Sequence, residues 1–385
     1  MRILLVGEYS RLHNTLKEGL ESFEHEVIIV SDGDGFKSFP TDYSIAPKWC
    51  NIFFINIIRQ AIFKLTSFDI AQIERGIRFY VLSPKLKKFD VVQIINELPI
   101  HTIPFFELFL LKKLKKENSK FFVLSSGVDF WNISYYLKNK SFKSIFQPLF
   151  ENQQLKENYK FCFNYLKPSH SKINKFLSNH CDGIIATDFD YVIPIVSHPK
   201  FLGLIPNPIN ISRLKIPDVE MNDKIVIFLG INEWNYYQKG ISYFEEALNI
   251  INTKFKEKVE IIIAKNLPYN QYINLYNGAH IVLDQVFAND QGYNALEAMA
   301  KGKVVFTGAE KDFIEYYEID KNVCINAKPD VEYLVDELSF LIENPDEIIE
   351  LGKRAKKFIE EYHNYKKIAN LYIETWQNQD KAVQS

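Results

Sequence analysis

Cysteine is scarce in this chain: four in 385 residues, Cys50, Cys162, Cys181 and Cys324. They are scattered and form no Cys-x-x-Cys pair, which argues against a structural zinc site and a disulfide framework and fits a reducing compartment. Also lacking is any run of about 20 uncharged apolar residues, so no membrane span is expected. The nearest candidate, Ile52 to Phe63, is interrupted by Arg59. The apolar run Met1-Arg2-Ile3-Leu4-Leu5-Val6-Gly7 is too short for a signal peptide and reads as a first buried strand. Internal repeats and low-complexity tracts are missing too. Net charge is nearly absent, at −2, but residues up to Lys215 carry roughly +8 and the remainder roughly −10. A chain that binds nucleic acid throughout would not divide in this way. A basic N-terminal half facing an anionic partner remains compatible with it. The expectation is a cytoplasmic protein, free or peripheral on the inner membrane face.

What the sequence does contain is the pattern of an α/β protein. At 47% hydrophobic and 24% charged residues it is globular in composition, and its length favours two domains. Short β-branched runs alternate with amphipathic stretches, as in βα units on a parallel sheet. The strand candidates of the first half are Arg2–Val6, Glu26–Val30, Asp90–Ile95, Lys120–Leu124 and Gly183–Ala186, with helices such as Leu12–Phe23 and Phe105–Lys116 between them. Trp49–Tyr80 reads as helical without a clear internal boundary. The prolines of Ile205-Pro206-Asn207-Pro208-Ile209-Asn210 stop regular structure, and a polar segment follows through Asp223. The second half restarts with strands at Lys224–Leu229, Glu260–Ala264, Ile281–Leu283 and Lys303–Thr307. It closes on helices Val331–Glu343, Asp346–Tyr362 and Tyr365–Gln377. Two Rossmann-like domains facing across a cleft are expected, with ligands at the carboxyl ends of the strands.

One segment stands out, Asp284-Gln285 through Asn289 to Gly292-Tyr293-Asn294-Ala295-Leu296-Glu297-Ala298-Met299-Ala300-Lys301-Gly302-Lys303-Val304-Val305. It reads strand, polar loop, helix, glycine, strand. Gly292 sits where the loop turns into a helix, whose free N–H groups suit a diphosphate. Glu297, about one and a half turns in, can accept hydrogen bonds from two ribose hydroxyls. The alternative is a core helix with Glu297 as a solvated or capping charge.

Leu296-Glu297-Ala298-Met299-Ala300-Lys301-Gly302-Lys303-Val304-Val305 resembles the signature of family 4 retaining glycosyltransferases of the GT-B fold: Glu, seven residues, Glu-Ala-Met-Ala, then a glycine and Pro-Val-Val. In that family the second Glu binds the donor ribose, and Glu297 matches it. The first Glu, which contacts the donor sugar, is replaced by Asn289, still a hydrogen-bonding side chain but uncharged. Asp284-Gln285 resembles a surface-polysaccharide subgroup that also lacks the first Glu. Ile227-Phe228-Leu229-Gly230 followed by Gln238-Lys239-Gly240 is similar to the family's strand, glycine loop and Lys-Gly helix opening, where the lysine neutralises the donor diphosphate. Asn232 lies where the family often has an arginine.

The resemblance implies a division into 1–210, an acceptor-binding Rossmann-like domain, 211–364, a nucleotide-sugar-binding one, and 365–385, a helix packing back on the first. It implies transfer of a sugar from a nucleoside-diphosphate sugar to a glycan or lipid-linked glycan in surface polysaccharide synthesis, with retention of configuration. The donor-binding set is Gly7, Gly230, Asn232, Lys239, Asp284, Gln285, Asn289, Gly292, Tyr293, Asn294 and Glu297, and Lys239 and Asp129 are the catalytic candidates. No cofactor and no metal are expected, because cations and helix N-termini suffice for the leaving diphosphate. A UDP-sugar epimerase on the same fold, or a catalytically silent nucleotide-sugar-binding subunit, are the alternatives.

In the first half, Gly7 matches a family glycine near the donor phosphate, but the following Glu8-Tyr9-Ser10-Arg11-Leu12 lacks the three-glycine dinucleotide fingerprint. Gly127-Val128-Asp129 resembles a subgroup element; Asp129 would orient a hydroxyl, or cap the next helix. Asn96, Glu97 and His101 end another strand in the same cleft, and a lone histidine such as His101 is more often structural. The triplets Asp32-Gly33-Asp34 and Asp188-Phe189-Asp190 have metal-site spacing but read more simply as a turn and a helix cap. Pro104–Lys116, with Lys112, Lys113, Lys115 and Lys116 at its end, is either a core-facing helix or a dock for anionic membrane.

Overall fold

The computed structural model describes residues 1–214, 224–265, 267 and 269–382. The polar segment 215–223 of the expected linker lies outside the described residues. The first half builds a seven-stranded sheet from β1 (Arg2–Val6), β2 (Glu26–Ser31), β3 (Tyr43–Ser44), β4 (Val91–Ile94), β5 (Lys120–Ser125), β6 (Gly183–Ala186) and β7 (Phe201–Leu204), in the order β3-β2-β1-β4-β5-β6-β7. The second half builds a five-stranded sheet from β8 (Ile225–Ile231), β9 (Val259–Lys265), β10 (Ile281–Leu283), β11 (Val304–Thr307) and β12 (Ile325–Asn326), in the order β12-β11-β10-β8-β9. Every pairing is parallel. The expected GT-B architecture of two Rossmann-like sheets is therefore what the chain forms.

Helices cover both faces of each sheet, which is why the central strands are apolar throughout rather than alternating. Ile3, Leu4, Leu5 and Val6 of β1 are all fully buried, Leu4 and Val6 in one core cluster and Ile3 and Leu5 in another. The edge strands β3 and β12 are only two residues long, and β7 carries a register shift opposite Ile184/Ile185 with Gly203 in the left-handed region. Such pieces leave no periodicity to read in a sequence.

The helices that matter below are α1 (Leu12–Glu21), α2 (Phe53–Thr66), α3 (Ala71–Leu82), α4 (Pro104–Glu117), α5 (Phe130–Lys138), α6 (Ile241–Lys254), α7 (Tyr293–Ala300) and α8 (Tyr365–Ala382). The single helical stretch read at 49–80 is two helices. Ser67 ends α2 in the left-handed conformation, and Asp69 Oδ1 accepts from Ala71 N at the start of α3. No glycine marks this stop, so the sequence gives no punctuation there.

The closing helix α8 does cross back. Ile368, Ala369, Tyr372 and Trp376 join Leu12, Leu16 and Leu20 of α1 in one buried cluster. Gly19 permits the close approach, since a Cβ there would collide with Tyr365 O. Backbone bonds from Ile209 N to His363 O (2.7 Å) and from Tyr365 N to Ile209 O (3.3 Å) tie the proline-rich crossing to the start of α8.

Three of the four lysines near the end of α4 are engaged within the protein. Lys113 pairs with Glu117 at 2.8 Å, Lys115 with Asp182 at 2.6 Å, and Lys112 lies over the Phe176 ring. Among the described residues no helix is long and apolar enough to cross a membrane.

Candidate functional site

In open parallel sheets, ligands bind beyond the carboxyl ends of the strands where the strand order reverses. Here those reversals lie between β1 and β4 and between β8 and β10. The loops leaving these four strands carry most of the predicted site residues; Gly230 lies within β8, and Asp129 follows β5.

On the C-terminal side, Asp284 directly follows β10 and is buried. Its Oδ1 accepts from Lys239 Nζ at 2.8 Å, and its Oδ2 accepts from Thr307 Oγ1 at 3.4 Å. The lysine side chain stays about a quarter exposed (26%) while the aspartate is sealed (2%), so the cation faces the outside of the pair. Gly240 then turns with φ +68°, and a Cβ there would stand 2.9 Å from Val286. Only glycine lets the lysine loop and the 284–292 loop lie this close, joined by Val286 N donating to Lys239 O at 2.8 Å.

Gly292 is the N-cap of α7, in an extended conformation with no side chain capping the helix. The first N–H groups of the helix, those of Tyr293 and Asn294, have no intrahelical acceptor, and the Gln285 amide lies beside the cap. Glu297 is half-buried, and among the described residues no hydrogen bond engages its carboxylate. Burial raises its pKa, opposed by the charges of Lys301, Arg11 and Lys37. Two of these three cations come from the other half of the chain. Tyr293 spans the halves instead of facing a ligand: its hydroxyl meets Thr15 Oγ1 at 2.8 Å and donates to Pro208 O at 3.0 Å.

Three predicted donor residues have other employment. Asn289 is buried and turned toward the first half, its Nδ2 donating to Asp190 Oδ1 (2.6 Å) and Lys143 O (3.2 Å). Both amide hydrogens are used, leaving only Oδ1 for a sugar. Asn232 is exposed and accepts from Trp234 N at 3.1 Å, capping a short 3-10 turn. Gly230 makes room for a ring, since a Cβ there would lie 2.8 Å from Tyr272.

On the N-terminal side, Gly7 has φ +86°, and a Cβ would collide with Ile95. The neighbouring Glu8 accepts from His13 N (3.2 Å), Asn14 N (2.9 Å) and Asn14 Nδ2 (2.6 Å). The N-terminus of α1 therefore already holds a carboxylate, whereas that of α7 has no side-chain cap. Burial raises Glu8 to about 7 and lowers His13 to about 4, so His13 is neutral, donating through Nδ1 to Gly7 O at 2.8 Å. Glu8 and His13 carry no sequence signature beyond their place after the first strand. His101, in the left-handed region, contacts the Tyr9 hydroxyl through Nε2 at 3.2 Å, and burial lowers its pKa.

Asp129 performs the capping role. Its Oδ1 accepts from Asn132 N at 2.7 Å and its Oδ2 from Ser125 Oγ at 2.8 Å at the start of α5. Burial raises it to about 6, and it raises the neighbouring Glu97 further above the usual carboxylate range, after burial itself. Asp129→Ala is expected to cost about 0.5–2 kcal/mol of stability in urea unfolding, the range for a lost N-cap. A variant as stable as the parent would return this side chain to the chemistry of the site.

The two Asp-x-Asp triplets separate. Asp32 pairs with Arg75 at 3.1 Å and Asp34 with Lys37 at 2.7 Å, so the first is a salt-bridged turn. In the second, Asp188 occupies the N-cap position of the helix Phe189–Ile195 but its side chain makes no capping bond. Asp188 and Asp190 instead converge with Asp290 of the other half, with carboxylate oxygens within 4.8 Å of one another. Among the described residues these are the carboxylates a cation would select. Burial pushes all three above the usual carboxylate range. A cavity of about 850 Å³ lies between Leu204, Pro206, Tyr317, Tyr362, Lys367 and Leu371, none of them a predicted site residue.

Residues 238–374 match a family described as glycosyl transferase-like, a stretch that holds Lys239, Asp284 and α7. No curated protein sequence matches the chain. Among solved structures, the chain is similar to sucrose-phosphate synthase from Thermosynechococcus elongatus, with a TM-score of 0.61 at 13% identity, covering 99% of this chain and 100% of that one. It is also similar to Anabaena HepE in complex with UDP and glucose, with a TM-score of 0.60 at 10% identity, over 98% and 99% of the two chains. A UDP-GlcNAc 2-epimerase from Neisseria meningitidis bound to UDP-GlcNAc aligns with a TM-score of 0.52 at 12% identity, over 98% and 100%. The fold is thus GT-B, and the stretch 238–374 of its C-terminal half is similar to the glycosyl transferase-like family.

Proposed function

We propose that the chain transfers a sugar, with retention of configuration, from a nucleoside-diphosphate sugar to a hydroxyl of a glycan or lipid-linked glycan, in the building of a surface polysaccharide. The observation that carries this reading is Glu297, a half-buried carboxylate with no hydrogen bond among the described residues. It stands inside a helix whose uncapped N-terminus lies against Gln285, the residue next to Asp284 of the Lys239–Asp284 pair. A ribose whose two hydroxyls donate to Glu297 leaves its diphosphate at the first turn of α7. There the N–H groups of Tyr293 and Asn294 and the ammonium of Lys239 offset the growing negative charge as the sugar departs. The leaving phosphate oxygen takes the acceptor proton, and no protein nucleophile is assigned. The HepE structure holds UDP and glucose on the same fold, which supports a UDP-type donor here.

The test is product formation from UDP-, GDP- and dTDP-sugars with a glycan acceptor. Transfer supports the reading, and conversion of free UDP-sugar to its epimer without an acceptor overturns it. Turnover is expected to persist in EDTA, because Lys239 and backbone donors carry the phosphate charge. Loss of turnover with recovery on added manganese would instead place a cation on Asp188, Asp190 and Asp290.

A further inference from the structure

We propose that α2, with the adjoining exposed surface of α3 and the first turns of α4, docks on an anionic lipid bilayer. An amphipathic helix normally lays its apolar stripe on the core. The fourteen residues of α2, FFINIIRQAIFKLT, include none that is buried. Phe53 (71%), Phe54 (75%) and Leu65 (84%) stand largely in the open, and Ile57, Ile58 and Phe63 are exposed as well. The attachments of the helix are polar. Arg59 grips Asp69 with two bonds of 2.6 and 2.7 Å, and the N–H groups of Lys48, Trp49 and Cys50 just before α2 donate to Glu74 of α3. On α3, Tyr80 and Val81 are exposed, and the Tyr80 ring meets Phe109 of α4 at 6.1 Å. Phe105 of α4 is 83% exposed. A soluble monomer rarely leaves so much contiguous apolar surface uncovered unless something binds it.

The charge around this face selects the occupant. Residues 48–116 hold twelve lysines and arginines against five acids. Of those acids, Glu74, Glu97 and Glu107 are buried, Asp69 is paired with Arg59, and Asp90 accepts from Arg2 N on another edge. Of the bases, Arg59, Arg75, Lys87, Lys113 and Lys115 are paired with acids; what α2 itself turns outward is apolar, with Lys64 exposed beside it and no acid in the helix. That combination fits phenylalanine, isoleucine and leucine entering the acyl boundary while lysines meet anionic headgroups. A second copy would bring two basic rims together, which disfavours self-association. The inference does not depend on the proposed transferase activity.

Co-sedimentation of the full chain with phosphatidylglycerol-containing vesicles tests it, alongside neutral phosphatidylcholine vesicles. Binding to the anionic vesicles should weaken with salt and fall at least tenfold in the triple variant Phe53→Ser, Phe54→Ser, Leu65→Ser. These residues are exposed, so an unchanged melting temperature is expected and certifies the fold. Gln in place of Lys112, Lys113 and Lys115, which are engaged within the protein, should leave binding within twofold. No vesicle binding, or binding that the triple variant retains, overturns the proposal. So does a concentration-dependent dimer that the triple variant abolishes in a protein that ignores vesicles.

Discussion

Lys239→Met should lower kcat/KM about 100- to 1,000-fold, roughly 2.7–4 kcal/mol of lost transition-state stabilisation, the range for removing one preorganised donor of this kind. The size follows from the pair it belongs to. Lys239 is the exposed member of an ion pair whose other member, Asp284, is sealed against solvent and held by Thr307. Removing the ammonium therefore leaves a buried carboxylate facing the diphosphate, and a neutral pair becomes a repelling charge. Adding Asp284→Asn to Lys239→Met should recover about tenfold of the loss, because the repulsion disappears while the missing cation does not return. Steady-state kinetics on the two variants, with melting temperatures as controls, measures both effects. Parent-like kcat/KM in Lys239→Met would take the lysine off the diphosphate.

The central strands and the loop-to-helix turn at Gly292 were legible because they rest on local rules: apolar runs of strand length, and a glycine where a loop must become a helix. The crossing of α8 was carried by resemblance. Its physical cause, the missing side chain at Gly19, needs the partner backbone of Tyr365 to be seen at all. Contacts between residues far apart along the chain could not be read from the sequence. Asn289 falls where spacing puts a sugar contact, yet Asp190, 99 positions upstream, takes its amide. The Asp188–Asp190–Asp290 group arises the same way, from loops of both halves. Arg11 and Lys37, which shape the surroundings of Glu297, belong to turns that show nothing of their proximity to α7. α2 illustrates a different limit. Its composition reads as core, and only the fold shows that, among the described residues, none of its side chains is buried.

Glu297→Gln is expected to weaken nucleoside diphosphate binding by about 1.5–3 kcal/mol, one to two orders of magnitude in affinity. The carboxylate accepts charge-assisted hydrogen bonds, each stronger than its neutral counterpart. Glutamine keeps the shape but places a donor where an acceptor is needed. The loss should appear with the nucleoside diphosphate alone, since the contact is to ribose and not to sugar. pH should act in the same direction. Burial raises the Glu297 pKa, so the proton that removes its charge binds at higher pH than on an exposed glutamate. Affinity should then decline on acidification before ordinary carboxylates titrate. Because the Glu297 carboxylate makes no hydrogen bond among the described residues, the substitution should leave the melting temperature close to that of the parent.

Calorimetric titration of UDP, GDP and dTDP into the parent and into Glu297→Gln at neutral pH tests the donor site most directly. The parent should bind one of the three saturably, and the variant should bind that same nucleotide ten- to a hundredfold more weakly. Equal affinity in the two proteins, or no binding of any of the three to the parent, would contradict the assignment of α7 and Lys239 to a nucleotide-sugar donor.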